Sequence, residues 1–362
     1  MEKLKVGIIG CGGIANSKHL PALKSQNKKA EIVAFCDIVE ERAALAAKEY
    51  GAENAKVYKD YKKLLEDKSI DVVHVCTPNR SHSEITVAAL EAGKHVMCEK
   101  PMAINSVEAA KMLDAAKRTG KKLTIGYQNR FRPDTALLKR MADEGKLGDI
   151  YYAQAHALRR RAVPTWGVFL NEYEQGGGPL IDIGTHALDL TLYIMNNYSP
   201  ETVLGQTFKK LSSQNVETGN AFGDWKKEEF TVEDSAFGFI RMKNGAVINL
   251  ESSWALNIEQ SREASATFCG TLGGADLVNG NVRLNKVEFG KQSAEEFCLT
   301  GKGVPLFDAS KQPTASEIEC SQWLDSIIND KQPVVLPEQA MVVTQILEAI
   351  YKSADENKAV TF

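Results

Sequence analysis

Val6-Gly7-Ile8-Ile9-Gly10-Cys11-Gly12-Gly13-Ile14-Ala15 runs a short apolar strand into a glycine cluster and then into a helical pattern. The cluster reads G-x-G-x-x-A across Gly10, Gly12 and Ala15, in the strand-to-helix context that this fingerprint requires. Gly10 permits the tight turn, and Gly12 lets backbone approach a pyrophosphate. The Gly13 and Ile14 amides open the helix, where N–H groups lack intrahelical partners and favour an anion. A tight turn that holds no ligand is the plainer alternative. Asp37 follows 25 residues after Gly12, at the end of the apolar run Ile32–Cys36. A carboxylate there suits two free ribose hydroxyls and repels a ribose phosphate, and Ile38 and Val39 bring no arginine, so the pattern favours NAD over NADP. The same carboxylate could instead cap a helix, or serve both roles.

The alternation continues as far as residue 126. Apolar runs at Asp71–Cys76, His95–Cys98 and Leu123–Gly126, with a weaker one at Lys56–Tyr58, are separated by Glu40–Tyr50, Ser83–Ala92 and Val107–Arg118. Apolar positions in these separators recur every three or four residues, as in amphipathic helices. Continuous apolar strands between helices predict an α/β Rossmann domain over residues 1–126, a doubly wound parallel sheet buried on both faces.

Beyond Gly126 the pattern changes. A helix is predicted near Asp134–Glu144, then long alternating strands including Tyr151–Leu158, Ser235–Met242 and Ala246–Trp254. Asn244-Gly245 predicts a two-residue type I′ hairpin turn between the last two. Two closing helices are expected at Glu317–Asn329 and Glu338–Glu356, the second introduced by Pro337. Residues 127–362 are thus expected to form an α+β domain with an open, predominantly antiparallel sheet, its boundary falling between Thr124 and Pro133.

The net charge is -3 with both signs interspersed, and Arg159-Arg160-Arg161 is the longest basic run. No surface is marked for a nucleic-acid backbone. No stretch approaches the roughly 20 apolar residues of a membrane span. Met1-Glu2-Lys3-Leu4-Lys5 enters a strand at once, so a cytoplasmic protein without a membrane partner is expected. Cys11, Cys36, Cys76, Cys98, Cys269, Cys298 and Cys320 form no C-x-x-C pair and no zinc-like spacing with histidine. They read as small hydrophobes in a reducing compartment, and no metal is expected.

Glu99-Lys100-Pro101 follows the run His95–Cys98, which puts Lys100 at the carboxyl edge of the sheet, where ligands of open α/β folds bind. Pro101 disfavours helical dihedrals at Lys100. A surface lysine beside a proline turn would read the same way. Farther on, Gly176-Gly177-Gly178-Pro179 introduces a helix on which Asp182 and His186, four apart, share a face. A carboxylate beside an imidazole can orient the ring for proton transfer. A helix-dipole partner and a buried structural histidine are the alternatives.

Together these signals resemble the Gfo/Idh/MocA family, named for glucose-fructose oxidoreductase, inositol dehydrogenase and a rhizopine-catabolism protein, across nearly the whole chain. The most specific shared elements are Glu99-Lys100-Pro101, Gly178 followed by Asp182 and His186, and Thr77-Pro78-Asn79 with His82 after the fourth strand. The resemblance implies that Lys100, Asp182 and His186 form the catalytic set. It implies that Thr77, Asn79, His82, Glu99 and Lys100 join the glycine loop and Asp37 around the dinucleotide. It also implies that Asn129 and Arg130, in Gly126–Phe131, face the substrate, although Arg130 could equally pair with a carboxylate. Pro164-Thr165-Trp166-Gly167 resembles members that act on glycosides, so Trp166 is a candidate platform for a sugar ring, or else a core tryptophan.

The activity implied is hydride transfer between NAD and a secondary hydroxyl of a sugar, glycoside or cyclitol, in a homodimer or homotetramer. Two alternatives stay open. One is a glycoside hydrolase or lyase in which bound NAD transiently oxidises the sugar, and the other is a non-catalytic dinucleotide-binding regulator.

Overall fold

The computed structural model describes residues 2–214, 218–278, 280–297, 299 and 312–362. Cys298 lies outside them. The chain divides into two compact units, Met1–Gln128 with Pro313–Met341, and Asn129–Gln312 with Val342–Phe362.

The first unit is built on a parallel sheet of β1 (Leu4–Ile9), β2 (Ala30–Cys36), β3 (Lys56–Tyr58), β4 (Val72–Val75), β5 (His95–Cys98) and β6 (Leu123–Ile125). Its order is β3-β2-β1-β4-β5-β6, the doubly wound arrangement that places a ligand crevice where the winding reverses. Successive residues Val72 and Val73 are both 0% exposed, so β4 is covered on both faces. That burial explains why these strands read as continuous apolar runs. The register aligns Ile9 with Cys36 and Val75, Val75 with Cys98, and Cys98 with Ile125. Gly10, Asp37, Cys76, Glu99 and Gly126 therefore all leave the sheet along one edge.

The domain expected over 127–362 includes Pro313–Met341, yet this segment packs with the first unit. Helix Ala315–Ile328 starts at a capping box of Thr314 and Glu317. It delivers Cys320, Trp323 and Leu324 to the core that holds Val6, Ile8 and Leu23. Thr124 Oγ1 donates to Val335 O at 3.0 Å, and Lys29 pairs with Asp325 at 2.7 Å.

The second unit carries a sheet of β7 (Ile150–Leu158), β8 (Pro200–Phe208), β9 (Ser235–Met242), β10 (Val247–Ser253), β11 (Arg262–Gly270), β12 (Gly274–Val278), β13 (Asn281–Glu288), β14 (Lys291–Phe297) and β15 (Val360–Thr361). Its order is β14-β13-β12-β11-β7-β10-β9-β8-β15. Pairing is antiparallel except between β7 and β10. Alternate residues such as Ala155, Ile240, Leu250 and Phe268 are buried on one face. Helix Thr185–Met195 packs against β7 and β11 there. Gly205 and Gly238, paired across β8 and β9, would bring an added Cβ within 2.7 and 2.5 Å of the Ile350 side chain, so glycine lets the C-terminal helix close on the sheet. The opposite face exposes Leu204 and Phe239, which are cross-strand partners, and Val287.

The Asn244-Gly245 hairpin is present with a different turn. Gly245 alone has positive φ (86°), and Met242 N donates to Ala246 O at 2.8 Å. The loop is therefore three residues long with glycine in the left-handed position, where a type I turn followed by a bulge spares Asn244 the strained conformation.

Candidate active site

The glycine loop is shaped by close approach. Gly10 has φ +89°, and a Cβ there would lie 2.6 Å from Cys76 O, so the turn against β4 admits only glycine. Gly12 and Gly13 have open space where a Cβ would stand. Asn16 Nδ2 donates to Cys11 O and Gly12 O at 2.9 and 2.8 Å and pins the loop. The helix it enters begins with a π-turn over Ala15–His19, closed by Leu20 N on Ala15 O. Asp37 is 8% exposed and takes Cys11 N on one oxygen and Val39 N on the other, both at 2.8 Å. It thus staples the glycine loop to the end of β2, and each oxygen keeps lone-pair capacity for a hydroxyl. Helix Glu40–Tyr50 has Val39 as its N-cap, with no side-chain bond. The open face before Gly12 and Gly13, the helix N-terminus and the acid at β2 together fit a dinucleotide.

Two loops on the same sheet edge are laced by His82, which is 0% exposed. Its Nδ1 lies 2.8 Å from Pro101 O and its Nε2 2.9 Å from Thr77 O, so the ring ties the Thr77-Pro78-Asn79 loop to the Glu99-Lys100-Pro101 turn. Thr77 Oγ1 accepts from Ser81 Oγ at 2.8 Å, and Asn79 and Lys100 are half-buried beside them. The Lys100–Pro101 peptide is cis.

Glu99 is turned inward and is 4% exposed. One carboxylate oxygen meets Lys18 Nζ at 2.7 Å and His19 Nε2 at 2.8 Å; the other accepts Lys100 N at 3.1 Å. Lys18 also reaches Glu319 at 3.0 Å. Burial opposes the charge on Glu99, but the Lys18 cation and hydrogen bonds from Lys18 and His19 hold its carboxyl well below the usual range. A Cβ on Gly126 would stand 2.9 Å from Glu99 Oε1, so the glycine makes room for the pair. This network under the edge was not foreseen. Its signal was available in Lys18 and His19, polar residues on the helix that follows the glycine loop.

On the second unit, helix Thr185–Met195 is preceded by a π-turn over Leu180–Gly184, with Thr185 N on Leu180 O. Asp182 sits in that turn and His186 in the helix. Turns of this kind recur at functional sites. Asp182 accepts from Trp254 Nε1 at 3.0 Å. Glu233 caps the start of the segment, accepting from Gly178 N at 2.8 Å, Leu180 N at 3.1 Å and Tyr351 OH at 2.8 Å. The three glycines serve this geometry: Gly176 has φ +79°, while a Cβ would lie 2.0 Å from Tyr351 OH at Gly177 and 2.3 Å from Glu233 O at Gly178. Burial pushes the Glu233 carboxyl up to about 7. Trp254, Glu233 and Tyr351 carry no local motif and were missed in the sequence.

Trp166 is 53% exposed. It makes edge contacts with Phe222 and Phe169 at 4.9 and 5.9 Å between ring centres, and Phe169 leans on Trp254 at 6.5 Å. An aromatic wall therefore leads from an exposed indole to the partner of Asp182. Arg130 is spent otherwise: it is 2% exposed, its guanidinium holds Asp189 at 2.6 Å, and it stacks on Tyr193 at 4.7 Å. Asn129, beside it, is half-buried. Lys100 stands on the first unit, and Asp182 and His186 on the second.

Residues 4–127 match an oxidoreductase family described by its NAD-binding Rossmann fold, and residues 139–362 match that family's C-terminal α/β domain. The chain is 38% identical over 356 residues to D-glucoside 3-dehydrogenase of Escherichia coli (strain K12), covering 97% of this chain and 95% of the relative. It is 31% identical over 271 residues to levoglucosan dehydrogenase of Pseudarthrobacter phenanthrenivorans, covering 70% and 68%. A solved levoglucosan dehydrogenase in complex with NADH and levoglucosan shares the fold with a TM-score of 0.84, at 23% identity and 99% coverage of both chains. The chain belongs to the Gfo/Idh/MocA oxidoreductase family.

Proposed function

We propose that this protein is an NAD-dependent dehydrogenase that oxidises a secondary hydroxyl of a hexose or hexoside. The observation that carries this reading is its 38% identity, over 97% of the chain, to a protein named D-glucoside 3-dehydrogenase, with Lys100, Asp182 and His186 all in place. The names of the relatives favour net dehydrogenation over a redox-neutral hydrolase or lyase, and a proton-transfer set is superfluous in a regulator. Asp37, already fixed by two backbone amides, supports NAD over NADP, because a ribose phosphate would meet a buried carboxylate. Gly10, Gly12, Gly13 and Ile14 would receive the pyrophosphate, with Thr77, Asn79 and Lys100 farther along the same edge. His82 and Glu99 act from behind it, as positioning groups.

When bound, the nicotinamide supplies the hydride acceptor. His186 takes the hydroxyl proton, Lys100 stabilises the developing alkoxide, and Asp182, held by Trp254, orients the substrate and the ring. Trp166 offers a face for the sugar. Arg130 is left out of the site, since its charge is satisfied by Asp189. The exposed apolar face carrying Leu204 and Phe239 supports a homodimer or homotetramer, and the family's chemistry supports a cytoplasmic enzyme.

The test is a panel of methyl glycosides, anhydrosugars, aldoses, inositols, hexose phosphates and hexuronates, scanned with NAD and NADP for the appearance of reduced cofactor. Oxidation of a hexoside with NAD is expected. Oxidation of inositols alone, or of nothing in the panel, would overturn the reading.

A further inference from the structure

The loops that carry Trp166 also frame a cavity of about 720 Å³, whose wall includes Arg160, Arg161, Thr218, Asn257 and Ser261. Backbone bonds fasten this wall to the aromatic core: Arg159 N donates to Ser253 O at 2.9 Å, Ala162 N to Trp254 O at 3.0 Å, and Leu256 N to Arg160 O at 3.0 Å. Ala221 N donates to Arg161 O at 3.0 Å, and Val163 N to Asn220 Oδ1 at 2.7 Å, zipping the other side. The cavity wall is therefore tied directly to Trp254, whose indole holds Asp182.

Its charge is one-sided. Arg159 is neutralised by Glu263 at 2.6 Å. Arg160 and Arg161 have no ion-pair partner among the described residues. Arg161 Nη2 donates to Asn257 Oδ1 at 2.7 Å, which fixes the guanidinium, while its Nη1 is buried with no hydrogen-bond acceptor among the described residues. An unmet buried donor is costly unless a ligand brings an acceptor. Among the described residues, Asp224 accepts from Thr218 Oγ1, and Glu259 is exposed and pairs with neither arginine. Planar guanidinium forks match the oxygens of a phosphate or carboxylate.

We propose that this cavity is an anion subsite for the sugar substrate, taking a phosphate or carboxylate substituent on a carbon away from the one oxidised. This rests on the sugar-dehydrogenase reading, and it narrows the substrate class to acidic hexose derivatives.

The test is calorimetric titration of the NAD-loaded protein with glucose 6-phosphate, glucuronate and methyl glucoside, alongside turnover of each. At least one acidic sugar should bind about tenfold or more tightly than the neutral glucoside, a gap of about 1.4 kcal/mol. Which acid wins tells phosphate from carboxylate. The advantage should shrink to about threefold or less in Arg161→Met, in the exposed-residue variant Arg160→Met, and in about 0.5 M salt, which screens the pair. Equal binding of acidic and neutral sugars by the wild type overturns the subsite, as does an advantage that survives both substitutions. NADH formed from neutral glycosides without an acidic advantage would leave the dehydrogenase reading intact and sink the subsite. An arginine-dependent advantage without NADH from any sugar would do the reverse.

Discussion

Replacing Lys18 with Met keeps most of the length of the side chain and strips the cation from between Glu99 and Glu319. The side chains of these two carboxylates are 5% and 3% exposed. Removing one partner of a buried ion pair typically costs about 3–5 kcal/mol. Lys18 also donates to Gly126 O and Gln128 Oε1, both at 3.2 Å, so the upper part of that range is expected. At roughly 2–4 °C per kcal/mol for a unit of this size, about 4–5 kcal/mol should lower Tm by about 8–20 °C. The loss should also depend on pH. In the wild type the folded pKa of Glu99 is depressed. The stability it contributes is therefore present above the unfolded carboxyl pKa of about 4.3, and lost as pH falls through the folded value. Without Lys18, burial dominates, the folded pKa rises above the unfolded one, and the sign reverses. The variant should then gain stability as pH is lowered from about 8 to about 5. Thermal unfolding followed by circular dichroism over that range measures both effects. A loss under about 1 kcal/mol, the size of an exposed pair, or a penalty equal at every pH, would refute the reasoning.

Asp37→Ser should raise kcat/KM with NADP and lower it with NAD; steady-state kinetics with both cofactors checks it, and a wild-type preference for NADP would remove Asp37 as the selector. Lys100→Met should leave NAD affinity within a few fold by calorimetry while lowering kcat about a hundredfold or more, because its charge matters chiefly as the alkoxide forms. His186→Asn should keep the fold and bound cofactor, lose about a hundred- to ten-thousandfold in turnover, and lose the rise of kcat/KM with pH. Glu233 has a folded pKa raised by burial to about 7. Its stabilising contribution is full below the unfolded value of about 4.3 and lost as pH rises through the folded one, so Glu233→Gln should flatten the wild-type decline in Tm across that window.

The first unit was readable because its signals are local. A strand, Gly10, Gly12 and a helix follow one another within a few residues, and burial on both faces wrote β1, β2, β4 and β5 as apolar runs. The second unit was harder to read. Strand β14 and the outer half of β13 expose most of their residues, so little alternation survives there. The packing of Pro313–Met341 on the first unit depends on Cys320, Trp323 and Leu324 meeting a core laid down some 300 residues earlier, which no window of sequence contains. The proposed site residues divide in the same way. Lys100, Asp182 and His186 announced themselves through neighbours in the chain, whereas Trp254, Glu233 and Tyr351 reach the Asp182 turn only through space. The contacts of His82 with Pro101 O and Thr77 O, and of Glu99 with Lys18 and His19, likewise join residues distant in the chain, and no local pattern announces them.

Net dehydrogenation by this constellation is tested most directly by the stoichiometry of a single reaction. The wild-type protein is incubated with excess NAD and the best hexoside of the panel, and NADH absorbance is compared with the sugar carbonyl formed. The proposed chemistry requires one NADH for each new carbonyl, and none of either from the Lys100→Met, His186→Asn double variant. Sugar product accumulating without net NADH would contradict it and establish a redox-neutral use of the cofactor.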